Sequence, residues 1–196
     1  MIAWSLDACL GCDAVAGVVV AVPGGHEHGL DGVEGVRTVD GGSTRAESVA
    51  NALAAVDTEY VAIHDAARPL LTPELLTDLV AELAANPDAA GVIAAAPVTD
   101  TVKKVRVEFR VESTQNSTRV SETLDRSELW GAQTPQVFRT AARRAALDAH
   151  EAATDEAMLV EAAGGTVLLH DPGAPNLKVT TPLDLRVAEL LLAERR

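Results

Sequence analysis

Aromatic side chains are nearly absent from this 196-residue chain: two Trp, two Phe and one Tyr make up 3% of it. That scarcity argues against the stacking platforms on which proteins hold single-stranded nucleic acid. Positive charge is short too, with 16 Lys and Arg against 29 Asp and Glu and a formal net charge of −13. Binding to a phosphate backbone draws its affinity from Lys and Arg, so no nucleic-acid partner is expected. A small phosphorylated substrate, which needs only a few local bases, remains compatible with this balance. Lysine is the scarcest base, three residues against thirteen arginines; with the abundant alanine, this reads as GC-rich coding. No apolar run approaches the roughly 20 residues of a membrane-crossing helix. The opening Met1-Ile2-Ala3-Trp4-Ser5-Leu6-Asp7 lacks the basic segment of a secretory signal. No membrane partner is expected, and a cytoplasmic location is.

Cysteine occurs twice, as Cys9 and Cys12. With His26 and His28 they could be assembled into a zinc site, but His-x-His is not the usual finger spacing and no second Cys pair follows. A redox C-x-x-C would follow a strand, whereas this one lies in or just after a short helix. Both are read as plain thiols, and no metal or redox role is expected of them.

What the chain has in quantity is small aliphatic side chains. Hydrophobic residues make up 47% of it, so the core must be built of Ala, Val and Leu. At this length one domain with a substantial core is expected. Apolar runs at 17–22 and 91–96 end in Pro and read as buried strands, with a shorter strand at 36–39. The run at 60–63 ends in His64-Asp65-Ala66-Ala67-Arg68-Pro69, the way a buried parallel strand delivers charged groups to the carboxyl edge of a sheet. Thr44 with Glu47 predicts a capping box opening a helix to about residue 53. Thr72-Pro73 and Thr181-Pro182 open helices to about 85 and 194. Further helices are predicted at about 138–149 and 155–163, and a strand at 166–170. Charged and apolar residues alternate over 102–112, and a second extended piece covers 118–124, which together predict a projecting antiparallel hairpin. The alternation of strands and helices predicts a three-layer αβα domain with a mainly parallel sheet.

Polar clusters fall at the predicted loop ends. Asp40-Gly41-Gly42-Ser43-Thr44-Arg45 lets backbone amides approach a ligand ahead of a helix N-terminus, or is a plain strand-to-helix turn. Asp65 and Arg68 are a ligand pair or a solvated turn pair. Thr101 and Thr134 are ligands or ordinary turn hydroxyls, and Lys178 is a fixed cation or a solvated lysine. Residue by residue, both readings stand.

Taken together, seven blocks resemble one family. They are 41–49 (Gly-Gly-Ser-Thr-Arg-Ala-Glu-Ser-Val), 64–69, 97–103 (Pro-Val-Thr-Asp-Thr-Val-Lys), 123–126 (Thr-Leu-Asp-Arg), 129–136 (Leu-Trp-Gly-Ala-Gln-Thr-Pro-Gln), 154–157 (Thr-Asp-Glu-Ala) and 176–180 (Asn-Leu-Lys-Val-Thr). In this order they resemble the 2-C-methyl-D-erythritol 4-phosphate cytidylyltransferases of the non-mevalonate isoprenoid pathway. The resemblance implies a Rossmann-like nucleotidyltransferase fold and a homodimer whose β-arms, about 102–124, complete each other's sites. It implies that CTP and methylerythritol phosphate give CDP-methylerythritol and pyrophosphate, with Mg²⁺. Gly42, Ser43 and Ser48 would contact the cytidine. Asp65 and Arg68 would hold the polyol, with Asp65 on the metal side. Thr101, Arg126 and Thr134 would bind the substrate phosphate, and Thr154 would touch the polyol. Lys178 would neutralise charge at the α-phosphate.

One family feature has no counterpart. Family members open with a strand and a Gly-rich loop bearing Arg and Lys, which wraps the CTP triphosphate. Here Met1–Leu6 resembles the helix that follows that loop. A truncated gene model, with Met1 an internal methionine, is therefore expected; if this is instead the true product, poor solubility and little turnover are. The rival expectations are a cytidylyltransferase for another polyol phosphate, such as ribitol 5-phosphate, and a non-catalytic dimeric homologue.

Overall fold

A computed structural model describes residues 1–25, 29–108, 117–149 and 155–195. The chain runs through α1 (Ile2–Leu10), β1 (Val18–Val22), β2 (Val36–Asp40), α2 (Arg45–Leu53), β3 (Tyr60–Ile63), α3 (Pro73–Ala85) and β4 (Ala89–Pro97). The arm strands β5 (Lys103–Glu108) and β6 (Ser117–Thr123) come next, then a 3-10 turn at Arg126–Glu128. It ends with β7 (Trp130–Arg139), α4 (Thr140–Ala149), α5 (Glu156–Ala162), β8 (Thr166–His170) and α6 (Pro182–Glu194). His26, His28 and part of the arm hairpin lie outside the described residues.

Helix starts follow their caps. The Thr72 hydroxyl accepts from the Leu75 amide at 3.3 Å ahead of Pro73, and Thr181 forms a full capping box with Asp184. Thr44 makes only half of the predicted box: its hydroxyl accepts from the Glu47 amide at 3.1 Å, while the Glu47 carboxylate turns to Ser43 instead.

The central sheet has the order β3-β7-β4-β8. β3, β4 and β8 run the same way, and β7 is inserted antiparallel between β3 and β4. The helix expected from residue 138 therefore begins later, at Thr140. Phe138 belongs to β7, where it is fully buried opposite Val61 and Gly91. This strand is hidden in the sequence because its buried stretch, 134–138, mixes polar Thr134 and Gln136 with Val137 and Phe138, and Pro135 interrupts it. Pro135 falls where the β4–β7 register shifts, so its missing N–H costs no ladder bond.

Side chains alternate across the sheet into two cores. Val92, Ala94 and Val137 pack under Leu75, Leu76, Leu79 and Leu83 of α3 and Ala8 of α1. Ile93 and Phe138 point the other way, onto Ala146 of α4 and Leu159 and Val160 of α5. At Gly91 a Cβ would lie 2.3 Å from the Phe138 ring. Gly91→Ala is therefore expected to cost about 1–3 kcal/mol by overpacking, measured by urea denaturation; an unchanged midpoint would refute the contact.

β1 and β2 form a separate parallel pair. Among the described residues β1 is bonded only to β2, and β3 only to β7, so there each has one free edge. Both edges line one apolar cleft of about 640 Å³, with Leu6, Leu53, Leu76 and Val80 among its walls. Arg45, just past β2, reaches Asp65, just past β3, which brings the carboxyl ends of both sheets to one edge. Among the described residues no helix is long and apolar enough to cross a membrane.

Candidate active site

Beyond Ile63 the chain turns sharply, closed by a hydrogen bond from the Arg68 amide to the Asp65 carbonyl at 2.9 Å. The turn leaves the Asp65 carboxylate 17% exposed at the sheet edge, between two cations. Arg45 Nε donates to one oxygen at 3.0 Å and Lys178 Nζ to the other at 2.9 Å. Burial alone would raise the Asp65 carboxyl, but the Lys178 ammonium and the Arg45 guanidinium outweigh it and hold it below the ordinary carboxylate range.

Lys178 is far away in sequence and is brought in by its loop. Arg68 Nη1 donates to the Asn176 carbonyl at 2.7 Å, and Asn176 Nδ2 donates to the Thr134 carbonyl at 2.8 Å. The Val179 amide donates to the Ala67 carbonyl at 2.8 Å. These three bonds pin residues 176–179 to β7 and to the β3 turn, which sets the Lys178 backbone within reach of Asp65. Arg68 thus serves the loop with one nitrogen, while its buried Nε has no hydrogen-bond partner among the described residues.

The Gly41–Ser48 loop is rigid before any ligand arrives. The Gly42 amide donates to Ser48 Oγ at 3.1 Å, and Ser48 Oγ donates to the Thr44 carbonyl at 2.9 Å. Ser43 gives both its amide and its hydroxyl to Glu47 Oε2, at 2.6 and 2.7 Å. The Ser43 contacts draw the Glu47 carboxyl below its usual range. A Cβ at Gly42 would fall 2.1 Å from that of Glu47, which is why glycine stands there. Gly42, Ser43 and Ser48 thus lie in one loop, with Gly42 bonded to Ser48, Ser43 to Glu47 and Ser48 to the Thr44 carbonyl.

Thr134 is only 4% exposed. Its hydroxyl accepts from the Asp65 amide at 3.0 Å and meets His64 Nδ1 at 3.2 Å. In this chain it is a buttress under the Asp65 turn. Thr101 is exposed in the segment between β4 and β5. Arg126, also exposed, donates to the Thr99 carbonyl at the base of the arm. Neither touches the Asp65 cluster of its own chain. Thr154 lies outside the described residues.

Sequence reading misses the residues behind the cluster. Arg45 Nη1 also donates to Glu156 Oε1 at 2.8 Å, and Glu156 Oε2 pairs with the buried Arg143. Arg45 and Glu156 stand inside matched blocks, but pairing across 111 positions leaves no local signal. His64 reads in the sequence only as part of a strand end.

Among the described residues no group of three or more His, Cys, Asp or Glu could hold a metal ion. Cys12 is buried with its sulfur 3.4 Å from Thr77 Oγ1. Burial, helped by Cys12, pushes the Cys9 thiol up to about 11, which keeps it protonated and unreactive.

The αβα sheet that gathers this carboxylate, these cations and the glycine turn at its carboxyl edge has, by its likeness to solved structures, a nucleotidyltransferase fold. The chain belongs to the family described as IspD: 2-C-methyl-D-erythritol 4-phosphate cytidylyltransferase, whose model matches residues 1–194. A bifunctional IspD/IspF enzyme of Anaeromyxobacter dehalogenans is 50% identical over 191 residues, covering 92% of this chain and 47% of that protein. The chain thus spans about half the length of such bifunctional relatives. A 2-C-methyl-D-erythritol 4-phosphate cytidylyltransferase of Bordetella petrii is 42% identical over 200 residues, covering 96% of this chain and 84% of that one. Among solved structures, a 4-diphosphocytidyl-2C-methyl-D-erythritol synthase superposes with a TM-score of 0.80 at 37% identity, over 97% of this chain and 89% of the other.

Proposed function

We propose that this chain joins CTP to 2-C-methyl-D-erythritol 4-phosphate. A phosphate oxygen of the polyol attacks the α-phosphorus of CTP, the bond to the β-phosphate breaks, and pyrophosphate leaves as CDP-methylerythritol forms. The observation that carries this reading is the Asp65 carboxylate held between Lys178 and Arg45, in a family whose relatives are named for this transfer. Those names favour methylerythritol phosphate over another polyol phosphate, and an intact charged cluster favours an enzyme over a non-catalytic homologue. The cytoplasm, where the nucleotide is available, is the expected place of action.

Phosphoryl chemistry of this type asks the protein for positioning and charge neutralisation. Lys178 neutralises charge growing on the α-phosphate. Asp65 and Arg68 face the polyol, with Thr134 fixing the Asp65 turn. The pre-formed Gly42-Ser43 loop, braced by Ser48, makes the cytidine wall.

Magnesium would fit here in one way. Asp65 is the carboxylate at the edge, and both its oxygens already face cations. The donor set therefore suits an ion carried mainly by the triphosphate, with Asp65 as its protein contact. Bound so, the ion would offset triphosphate charge. We also infer that a strand followed by a Gly-rich loop in the cleft between β1 and β3 completes the triphosphate side. Such a strand would pair with both free edges at once.

The arm supports a homodimer. Val105 and Val120 face each other across β5 and β6, 47% and 61% exposed, an apolar pair that suits an interface. Thr101 and Arg126 sit at the arm base, where they can serve the phosphate in a second copy's site. Thr154 is assigned to the polyol. Val120→Asp is expected to shift the dimer toward monomer at micromolar concentration by light scattering; an unaltered mass would remove the arm from the interface.

The test of function is pyrophosphate release from CTP, methylerythritol phosphate and Mg²⁺, with ribitol 5-phosphate as the competing acceptor. CTP-selective release with methylerythritol phosphate, enhanced when a strand and Gly-rich loop are added ahead of α1, supports the reading. Silence with and without the added segment, or preference for ribitol phosphate, overturns it.

A further inference from the structure

Five charged side chains from separate parts of the fold form one alternating row: Arg143 of α4, Glu156 of α5, Arg45 of α2, Asp65 after β3 and Lys178 after β8. The inner end is closed to water, with the Arg143 and Glu156 side chains 1% and 3% exposed. The outer end opens at the sheet edge, with Lys178 44% exposed. Glu156 is the link between them. One of its oxygens answers the buried Arg143, and the other holds Arg45 Nη1 at 2.8 Å. Arg45 then has Nε free to meet Asp65 at 3.0 Å.

Only a guanidinium can do this. Its planar fork reaches two carboxylates from one rigid group, whereas an ammonium is a point charge on a flexible stem. Without Glu156, Arg45 would be a partly exposed arginine on the first turn of a helix, free to swing from Asp65 into water. A surface pair of that kind holds its geometry poorly. A buried, doubly engaged anchor removes that freedom.

We propose that Glu156 is a positioning residue for the reaction: by gripping Arg45 it fixes the Asp65 carboxylate, and with it the Lys178 ammonium, where the polyol phosphate meets them. The inference rests on the cytidylyl-transfer reading above. Glu156 itself touches neither substrate nor the reacting atoms.

Removing Glu156 alone would leave Arg143 as an uncompensated buried charge, so the test uses the paired variant R143M/E156Q, which removes both charges together. The readout independent of turnover is the Arg45 Nε–H signal in ¹⁵N NMR, which the contact with Asp65 protects from exchange with water. With the anchoring charge gone, Arg45 keeps at most a neutral acceptor at position 156, and its Nε–H loses protection. The kinetic readout is kcat/KM for methylerythritol phosphate, expected to fall roughly 10- to 100-fold, mostly in KM, with KM for CTP unmoved. In an R45Q background the same paired change adds nothing, because the link it cuts is already gone.

Unchanged Arg45 Nε–H protection in folded R143M/E156Q, or effects that multiply with those of R45Q, overturns the proposal. If R143M/E156Q does not fold, E156D carries the comparison; it keeps a charge for Arg143 but is too short to hold both guanidinium groups. Should the unaltered protein fail to turn over CTP and methylerythritol phosphate, the functional reading falls, and the Arg45 Nε–H signal alone decides the role of Glu156.

Discussion

Lys178→Gln is expected to lower kcat for cytidylyl transfer by about 10²- to 10³-fold while leaving the protein folded. Negative charge builds on the α-phosphate oxygens as the polyol phosphate attacks, and a cation fixed in advance stabilises that state without reorganising. Lys178 is held for this task by its loop. Arg68, Asn176 and the Val179 amide tie residues 176–179 to the β3 turn and to β7. Stability should hardly change. The ammonium is 44% exposed, and a pair this open contributes at most about 1 kcal/mol. Glutamine keeps the length and a donor but not the charge, so the loss isolates the electrostatic part. Lys178→Arg should restore part of the rate, since the charge returns in a bulkier, planar form. Single-turnover rates at saturating CTP and polyol phosphate, with thermal unfolding alongside, make the measurement. A K178Q protein within about threefold of the unaltered rate would remove Lys178 from the chemistry.

The parts of this molecule that are legible in the sequence are those with a local cause. β1, β3, β4 and β8 show as apolar runs because parallel strands are covered on both faces, and Pro or Gly marks their exits. Thr72-Pro73 and Thr181-Pro182 show as helix starts because capping is settled within four residues. Asp65 shows because a carboxylate that closes a buried apolar run belongs at the edge of a sheet. Lys178 shows because lysine is rare here and this one sits beside Val179 and Thr180. β7 does not show. It pairs antiparallel with neighbours on both sides, carries Pro135 at a register shift and buries polar Thr134 and Gln136 beside Val137 and Phe138. Arg143, in the run Ala-Ala-Arg-Arg-Ala-Ala, has the sequence context of a solvated helix face. Only Glu156, thirteen residues on, makes it an interior residue. Thr134 has two local meanings, turn hydroxyl or phosphate ligand, and a third decides the matter: it supports Asp65 from beneath. Each of these misses depends on a partner that the chain brings near only by folding.

The stability of this protein is expected to fall by about 3 kcal/mol between pH 6.5 and 4 through a single residue, His64. Its ring lies in a directed chain of hydrogen bonds. Nε2 is 3.0 Å from the Arg68 carbonyl, which can only accept, so Nε2 carries the proton. Nδ1 is then the acceptor for the Thr134 hydroxyl at 3.2 Å, and that hydroxyl accepts in turn from the Asp65 amide. Burial pushes the ring down to about 4 from its ordinary 6.5, with the Arg68 charge acting the same way against the smaller pull of the Arg68 carbonyl and Asp65. A second proton would have to sit on Nδ1, facing a hydroxyl that would have to turn away. The sign follows directly. Between about 4 and 6.5 the unfolded chain binds a proton that the native protein refuses, so acid draws the equilibrium toward unfolding, and below about 4 this contribution is spent. Asp65 acts in a different window. Its lowered carboxyl contributes stability above the ordinary carboxylate value and loses it only as pH falls through the lower folded value. His64→Gln keeps a donor for the Arg68 carbonyl but has no group that titrates in this range. It should lose about 1 kcal/mol at pH 7 and show a nearly flat profile from pH 6.5 to 4. Urea unfolding at pH 7, 5.5 and 4.5 separates the two proteins. Parallel slopes would mean that the acid sensitivity arises elsewhere and that His64 takes its proton freely. Convergence toward low pH would mean that the Thr134–His64 contact, on which the Asp65 turn rests, carries the acid sensitivity of the site as well as of the fold.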